Sequence, residues 1–332
     1  MKILIIFTGG TISCSLDGDG YLAPDGDNRF KLLAMYRKTH PNVSVEFDCT
    51  EPYQTLSEQL NGDYLGKLIA CLRSNLHQDY EGIIVTHGTD TLQYAAAALG
   101  YAAGNQSLPI VLVSSNYMLD DERANGPDNF AAAVDFILGG YGRGVFAAYR
   151  NRWEEVTIHR ASRMENHITY DDCIYSVDGN YYGRYVNGVF QKNHSYTERE
   201  DEIPVLESCW SGDCSDVCWI TPYPGFDWDI SLKGRRAILI KTYHSGTMNT
   251  EHPKLRKMLQ AAGDASVPVF LVGAAEPVAY ESSRAYGEMG VHLLGTMSPP
   301  AAYMKLAMGL ACGRRPEEFM YRSLGGDLAD VL

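Results

Sequence analysis

The sequence lacks any apolar run long enough to form a signal-peptide core or a membrane-spanning helix. After Met1 and Lys2 only five apolar residues follow, Ile3 to Phe7, whereas a spanning helix needs about 20. Basic residues are also scarce, since 28 lysines and arginines face 41 aspartates and glutamates and leave a net charge of -13. That balance opposes binding to phosphate backbones and to anionic lipid. We therefore expect a cytoplasmic protein that binds neither nucleic acid nor membrane.

Metal and phosphate motifs are missing as well. Among the 8 cysteines only Cys209, Cys214 and Cys218 cluster, and they lack the paired C-x-x-C spacing of a structural zinc site. The acidic segment at 16–28 lacks the sixth-position glycine and the twelfth-position glutamate of a calcium-binding loop. No G-x-x-x-x-G-K-[ST] phosphate loop occurs. We expect neither a metal nor a cofactor.

Short β-rich runs alternate with longer alanine-rich or periodic segments in the first half of the chain. This alternation predicts a doubly wound α/β domain with a mostly parallel sheet. The predicted strands are 3–7, 82–86, 109–115 and 144–149, and the predicted helices are 91–103 and 128–138.

The same alternation returns in the second half and predicts a smaller α/β unit. Its predicted strands are 217–221, 236–242 and 267–273, and its predicted helices are 251–263 and 299–311. A chain of 332 residues suits two domains of unequal size. We place them at 1–192 and 212–332, joined by a polar, acidic linker at 193–211.

Threonine-rich glycine loops follow two of the predicted strands. The first loop, TGGTIS, follows strand 3–7, and the second, THGTDTL, follows strand 82–86. Ligands of open α/β sheets bind beyond the carboxyl ends of the strands. Thr11, Thr89 and Asp90 would supply a nucleophile, a second hydroxyl and a carboxylate there.

Structural roles are the alternative for several residues of these loops. Thr8 is expected to end the strand and shape the turn. Thr89, Asp90 and Thr91 form a possible helix cap, because hydroxyl and carboxylate side chains cap helices well. His87 is expected to pack and to form hydrogen bonds within its loop rather than to act as a base.

The two loops resemble the signature motifs of the bacterial-type L-asparaginase/glutaminase family, of the cytoplasmic, type I-like kind. The matching segments are TGGTI and HGTDTL. Further similarity lies in ANGPDN, where Asn125 replaces the usual aspartate, in YHSGT, where Thr247 replaces asparagine, and in the segment 290–311. The resemblance implies hydrolysis of the side-chain amide of L-asparagine, or of a related small amide, to aspartate and ammonia.

The resemblance also assigns catalytic roles to residues of this sequence. Thr11 matches the primary nucleophile, and Tyr21 matches the mobile-loop tyrosine that helps to activate it. Thr89 and Asp90 match the second catalytic group, and Asp90 also lies where the family holds the substrate's α-amino group.

The remaining matched positions bind substrate. Ser57 and Glu58 match the positions that hold the α-carboxylate and α-amino groups, although Ser57 is also a candidate helix cap. Gly10, Gly88 and Ser115 complete the predicted binding set, in which backbone near Thr89 stabilises the oxyanion.

One matched position departs from the family pattern. The family's second catalytic group includes a lysine in a segment R-x-T-K, whereas this sequence reads RASR and places Arg163 there. Arginine stays charged and cannot serve as a base. It would still hold Asp90 through a bidentate contact and lower the cost of charge on Thr89, so we predict that Arg163→Lys keeps or raises turnover.

Two other functions therefore stay open. One is a weakly catalytic or non-catalytic regulatory protein that binds an amino acid. The other is the ammonia-supplying subunit of a transamidation complex, which also resembles this family but usually carries extra N-terminal sequence, whereas this sequence starts at the first strand. The resemblance implies a homodimer or homotetramer, in which the loop at 281–284 would reach a neighbour's site.

Overall fold

The computed structural model describes residues 1–16, 18–19, 21–24, 28–105, 108–206, 214–276 and 280–329. The strands in these ranges are β1 (Lys2–Phe7), β2 (Cys14–Leu16), β3 (Leu22–Pro24), β4 (Glu46–Thr50), β5 (Gly82–Thr86), β6 (Pro109–Val113), β7 (Gly144–Arg150), β8 (Val156–Arg160), β9 (Gly183–Val186), β10 (Val189–Lys192), β11 (Val217–Ile220), β12 (Ala237–Lys241), β13 (Val269–Val272) and β14 (His292–Leu293). The α-helices are α1 (Asn28–Thr39), α2 (Gly62–Asn75), α3 (Leu92–Ala103), α4 (Gly126–Leu138), α5 (Pro253–Asp264), α6 (Glu281–Arg284) and α7 (Pro299–Ala311). No helix in the described part of the chain is both long and apolar enough to span a membrane.

The larger sheet has the strand order β10-β9-β8-β7-β6-β5-β1-β4. Strands β4, β1, β5, β6 and β7 run parallel. Because β5 and β6 are buried along their whole length, they read as continuous apolar runs. Helices α2 and α3 cover one face, and α1 and α4 cover the other. The predicted doubly wound, mostly parallel sheet is confirmed.

Three antiparallel strands extend this sheet beyond β7, and they were not predicted from the sequence. Strand β8 pairs antiparallel with β7, so that Arg160 at its end lies opposite Phe146 near the start of β7. The chain after β8 therefore begins at the amino-terminal edge of the parallel strands. The direction of β8 therefore determines at which edge of the sheet Arg163 lies.

The smaller sheet is parallel, in the order β11-β12-β13-β14, as predicted for the second half. One apolar cluster contains residues of both sheets, among them Leu4, Val85, Leu239 and Phe270. Helix α7 packs between the sheets and against α3, and almost all of its residues are buried. The two α/β units thus share a core. Part of the proposed linker, from 207 to 211, lies outside the described residues, as does Cys209.

The C-terminal segment, residues 323–329, packs back against the first α/β unit. Asp327 accepts hydrogen bonds from the Lys305 ammonium at 2.6 Å and the Tyr101 hydroxyl at 3.2 Å. Neither side chain of the Lys305–Asp327 pair is exposed. Asp201 accepts from Gly325 N at 2.7 Å. The Tyr101 contact joins this segment to the larger domain, whereas Lys305 and Asp201 join it to helix α7 and to the proposed linker.

Candidate active site

The two glycine loops meet at the carboxyl ends of neighbouring strands. Phe7 at the end of β1 pairs with Thr86 at the end of β5. Gly10 has a φ of 78°, and a Cβ built on it would lie 2.4 Å from both Cα and N of Gly88. These distances are too short for a real Cβ, so only glycine fits at position 10, and the two loops contact each other through backbone atoms.

The two threonines of the first loop have different roles. Thr8 is buried, and its hydroxyl donates to the Thr86 carbonyl at 2.7 Å. It thereby joins the ends of β1 and β5, as a turn-shaping residue should. Thr11 instead begins a one-turn 3-10 helix, Thr11–Ser13, and stays half-buried. Of the two hydroxyls, only that of Thr11 is partly exposed.

A third loop, after β4, joins the second glycine loop. A Cβ on Gly88 would lie 2.5 Å from both Cβ and Oγ of Ser57. The Ser57 hydroxyl donates to Asp90 Oδ2 at 3.3 Å, and the Thr91 hydroxyl donates to the Ser57 carbonyl at 2.9 Å. Gly10, Gly88, Ser57 and Asp90 therefore form one continuous group.

The helix-cap alternatives for Ser57 and Thr91 are wrong. Thr91 occupies the N-cap position of α3 but makes no capping hydrogen bond with its side chain. Helix α2 is capped by Asn61, whose side chain accepts from Tyr64 N at 3.1 Å. The Ser57 hydroxyl therefore donates to the Asp90 carboxylate and does not cap a helix.

A cavity of about 900 Å³ opens next to this group. Small-molecule sites usually have volumes of roughly 300–1,000 Å³. Thr89 and Asp90 line it together with Asn116 after β6 and His167 in the loop after β8, and Trp219 of β11 contributes from the second domain. Both α/β units thus contribute to the walls.

Of the two histidines in this region, His87 is buried and His167 is half-buried, and the pKa of each is lowered. His87 Nδ1 donates to the Gly88 carbonyl at 2.9 Å, and burial lowers the pKa of His87. This matches the loop-packing role expected for it. Burial also lowers the pKa of His167, which the Asp90 carboxylate and a hydrogen bond to the Cys173 backbone partly offset.

Arg163 does not make the predicted contact with Asp90. Its guanidinium is fully buried and donates to the Gly326 carbonyl at 2.6 Å, Asn180 Oδ1 at 2.7 Å and the Leu328 carbonyl at 2.9 Å. The predicted bidentate contact is therefore wrong. Arg163 follows the antiparallel β8, which ends at the sheet edge opposite the glycine loops.

The remaining predicted site residues are placed as follows. Tyr21 directly precedes β3 in the β2–β3 hairpin and is 73 % exposed. Glu58 is exposed in the one-turn helix that starts at Ser57. Ser115 is fully buried, and its hydroxyl donates to the Tyr117 carbonyl and accepts from Gly126 N. The catalytic and binding roles of these residues stay predictions.

The substitution at Asn125 has a local explanation. Its side-chain oxygen accepts from Asn116 N at 2.9 Å, and its side-chain nitrogen donates to the Arg150 carbonyl at 3.0 Å. A carboxylate could not make the second bond. At the other changed position, the hydroxyl of Thr247 lies 3.1 Å from that of Ser245.

Several cavity residues were not predicted from the sequence, namely Asn116, Tyr117, Tyr149, His167 and Trp219. The rule that strand ends carry the site would have found Asn116 and Tyr117, which follow β6. His167 follows an antiparallel strand, and no local sequence pattern marks its approach to Asp90.

Comparison with known proteins identifies the class of protein. The family model described as Asparaginase, N-terminal matches residues 2–196. The chain therefore belongs to the asparaginase family, a family of amidohydrolases.

Individual relatives agree with this assignment. An L-asparaginase from Thermococcus kodakarensis is 24% identical, with 99% of each chain covered. A subunit of a glutamyl-tRNA(Gln) amidotransferase from Thermoplasma volcanium is 25% identical, and the match covers 100% of this chain and 82% of that protein.

Solved structures show the same fold. The thermostable L-asparaginase from Thermococcus kodakarensis superimposes with a TM-score of 0.81 at 21% identity, with both chains covered in full. L-asparaginase I from Vibrio cholerae gives a TM-score of 0.77 at 21% identity, with 99% of each chain covered.

Proposed function

We propose that this protein hydrolyses the side-chain amide of L-asparagine, or of a related small amide, to the acid and ammonia, with Thr11 as nucleophile. The observation that carries the proposal is the backbone contact between Gly10 and Gly88. It sets Thr11 beside the loop of Thr89 and Asp90, which line the cavity. Family membership supports the reaction class.

The proposed reaction has two halves. The Thr11 hydroxyl oxygen bonds to the amide carbon, the carbon–nitrogen bond breaks, and the nitrogen leaves as ammonia after gaining the hydroxyl proton. Water then attacks the ester, releases the acid and restores the Thr11 hydroxyl. Backbone N–H groups of the two glycine loops would stabilise the oxyanion in both halves.

Substrate binding would use the charges of the same group. We assign the Asp90 carboxylate to the substrate's α-ammonium, because Asp90 is exposed at the cavity and is held there by the Ser57 hydroxyl. Glu58, in the same one-turn helix as Ser57, would add a second negative charge. Such a site favours a free amino acid over an anionic ligand.

The test is ammonia release from L-asparagine, L-glutamine, dipeptide amides and D-amino-acid amides. We expect Thr11→Ala to abolish release and Thr11→Ser, which keeps a hydroxyl, to retain part of it. Thr89→Val should lower turnover by about 10²-fold or more, as expected for loss of a proton-transfer group. Activity that survives Thr11→Ala would remove Thr11 as the nucleophile.

Two other outcomes would redirect the proposal. Calorimetric binding of L-asparagine without ammonia release would indicate the regulatory amino-acid-binding function, which the displaced Arg163 favours. Preference for glutamine would favour an ammonia-supplying role in transamidation, an alternative that the amidotransferase relative from Thermoplasma volcanium supports.

Location and assembly are also proposals. A cytoplasmic location has the support of a structural neighbour described as a probable cytoplasmic L-asparaginase from Campylobacter jejuni, with a TM-score of 0.75. Assembly as a homodimer or homotetramer is measured by light scattering. The segment proposed to reach a neighbour, Glu281–Arg284, forms the short helix α6.

A further inference from the structure

We infer that the active-site cavity also binds a second amino acid, and that the substrate is a β-aspartyl dipeptide whose terminal carboxylate is held by Arg152. In such a dipeptide the side-chain carbonyl of aspartate forms an amide with the α-nitrogen of the next residue. The inference rests on the proposed amide hydrolysis and names the substrate class of the same site. It follows from where the cavity extends and from which charges line its far end.

The cavity runs along the carboxyl edge of the larger sheet. Its walls include Thr89 after β5, Asn116 after β6 and Arg152 after β7. These three strands are parallel neighbours, and neighbouring strands lie about 4.8 Å apart. The carboxyl end of β7 therefore lies roughly 10 Å from that of β5. The cavity thus extends well beyond the loop of Thr89 and Asp90.

The extension lies on the side of the leaving group. Thr11 follows β1, which borders β5 on the side away from β6. An oxygen that attacks from β1, and a nitrogen that leaves on the far side of the amide carbon, place the leaving group toward β6 and β7. In L-asparagine this nitrogen carries only hydrogen. The cavity volume of about 900 Å³ lies near the upper end of the usual range, roughly 300–1,000 Å³, and accommodates a leaving group of amino-acid size.

Arg152 is exposed and available to a ligand. With the residues that the structure describes, its guanidinium forms neither an ion pair nor a hydrogen bond, and its carbon lies 5.4 Å from the centroid of the Trp153 ring. Arg123, which stacks on the cavity residue Tyr117, is by contrast paired with Asp121 through Nε at 2.9 Å and Nη2 at 2.6 Å. Because a guanidinium binds a carboxylate through two parallel hydrogen bonds, Arg152 is suited to hold the end of a dipeptide.

The turn that carries Arg152 is fixed from inside the protein. The side-chain nitrogen of buried Asn151 donates to the Ile174 carbonyl at 3.1 Å, and its side-chain oxygen accepts from Ile174 N at 2.9 Å. Glu154 N closes the turn by donating to the Asn151 carbonyl at 3.1 Å. Trp153, within the turn, has a φ of 67°, a conformation that bulky residues rarely adopt and that is typical of binding sites. Arg152 therefore projects from a rigid support, as a binding residue should.

Two carboxylates of the same cavity would select the side chain of the second amino acid. Asp171 and Asp172 line the cavity from the loop after β8. Asp172 accepts from the Tyr117 hydroxyl at 3.3 Å, and Asp171 is exposed. A cation together with two carboxylates is complementary to a residue that has both a free carboxylate and a cationic side chain. We therefore expect lysine or arginine as the second residue of the dipeptide.

The reaction balances as it does for asparagine, with an amino acid in place of ammonia. The Thr11 oxygen bonds to the side-chain carbonyl carbon, and the isopeptide carbon–nitrogen bond breaks. The nitrogen gains the hydroxyl proton and leaves as the α-amino group of the second amino acid. Water then cleaves the ester, releases aspartate and returns a proton to Thr11, so that one water is consumed for each dipeptide.

The test compares β-aspartyl-lysine with L-asparagine, with release of aspartate as the readout for both. We expect the wild type to have the higher kcat/KM for the dipeptide. Arg152→Gln should lower the ratio of the two kcat/KM values by about 10- to 10²-fold, mainly through KM of the dipeptide, because a hydrogen bond to a charged group contributes that factor. Arg152→Lys, which keeps the charge, should recover part of the ratio. Arg184→Gln, on the exposed side of β9, is the matched control and should leave the ratio unchanged.

A dipeptide that ends in a carboxamide tests the contact itself. Because it lacks the terminal carboxylate, the wild type should lose the same factor on it, and Arg152→Gln should cause little further loss. Asp171→Asn should reduce the preference for β-aspartyl-lysine over β-aspartyl-leucine.

Two results would overturn the inference and leave the proposed function intact. One is an equal effect of Arg152→Gln on the carboxylate and carboxamide dipeptides. The other is a wild type that releases ammonia from L-asparagine but cleaves no β-aspartyl dipeptide. A wild type that cleaves neither kind of amide would overturn both proposals.

Discussion

The Nε hydrogen of Arg163 is donated to the carbonyl oxygen of Gly326 at a distance of 2.6 Å. Two further donors of the same guanidinium reach Asn180 and Leu328, and its carbon lies 4.7 Å from the centroid of the Tyr196 ring. Arg163 thus holds the segment 326–328 against the larger domain. Its pKa is lowered by burial, yet arginine remains charged at any ordinary pH.

Arg163→Lys should therefore lower stability rather than raise turnover. A lysine cannot reproduce three hydrogen bonds in a planar fork, and unpaired buried acceptors cost about 1–3 kcal/mol each. We expect the free energy of unfolding to fall by about 2–4 kcal/mol in a urea titration. Arg184→Lys, on the exposed side of β9, is the control and should change stability by less than about 0.5 kcal/mol. Unchanged stability of Arg163→Lys would contradict this role.

Breaking the Lys305–Asp327 pair should also destabilise the fold. Both side chains are buried, so Lys305→Met leaves an uncompensated carboxylate at a cost of about 3–5 kcal/mol. Adding Asp327→Asn removes that charge and should recover part of the loss. The comparison is made by thermal unfolding at equal protein concentration. If the double variant is no more stable than the single one, the unpaired charge is not the cause.

A methyl group at Gly10 should abolish activity. It would meet Gly88 at 2.4 Å, and Gly10 also has a φ of 78°, which residues with a Cβ rarely adopt. We expect Gly10→Ala to lose more than about 10²-fold in kcat/KM, because small misplacements of catalytic groups cost that much. Gly263→Ala is the control, since nothing lies within 4 Å of its added Cβ. In helix α5 it should gain about 0.5–1 kcal/mol of stability.

Stability should decrease on mild acidification because of His159. Burial lowers the pKa of His159 to about 3 from its ordinary value of 6.5. Between these values the unfolded chain takes up a proton that the folded chain does not, so stability is full above pH 6.5 and falls as pH falls. The expected slope is about 1.4 kcal/mol per pH unit.

The matching variant is His159→Gln, in which this slope should disappear. His159 Nδ1 lies 2.8 Å from the Ser176 hydroxyl, a contact that the variant also perturbs. The slope, rather than the absolute stability, is therefore the measurement. An equal slope in the wild type and the variant would show that His159 does not cause it.

Strands and helices were predictable where the apolar pattern of their own residues indicates the element. Strand 82–86 matches β5 in full, since a buried parallel strand is apolar along its whole length. Helix 128–138 starts two residues earlier, at Gly126, with Pro127 in its first turn. Strand β10 was missed because its residues are mostly exposed and follow no apolar pattern.

The site was predictable only where it follows parallel strands. That rule brought Thr11, Thr89 and Asp90 to one sheet edge. Arg163 was assigned by a motif match instead. Such a match gives a position along the chain, and it does not say at which edge of the sheet the antiparallel β8 ends. His167 was missed because it also follows β8, and only the folded loop carries it to Asp90.

The contacts of residues 323–329 with Arg163 have a consequence for folding during translation. The ribosome makes the larger domain long before it makes residues 326–328, so until then two acceptors of the Arg163 guanidinium, the carbonyls of Gly326 and Leu328, do not exist. Early stop codons before Ser323 should then yield products that chaperones and proteases remove, even though every strand that the structure describes has been translated. Only a chain translated through residues 326–328 would then complete the hydrogen bonds of Arg163 and escape degradation.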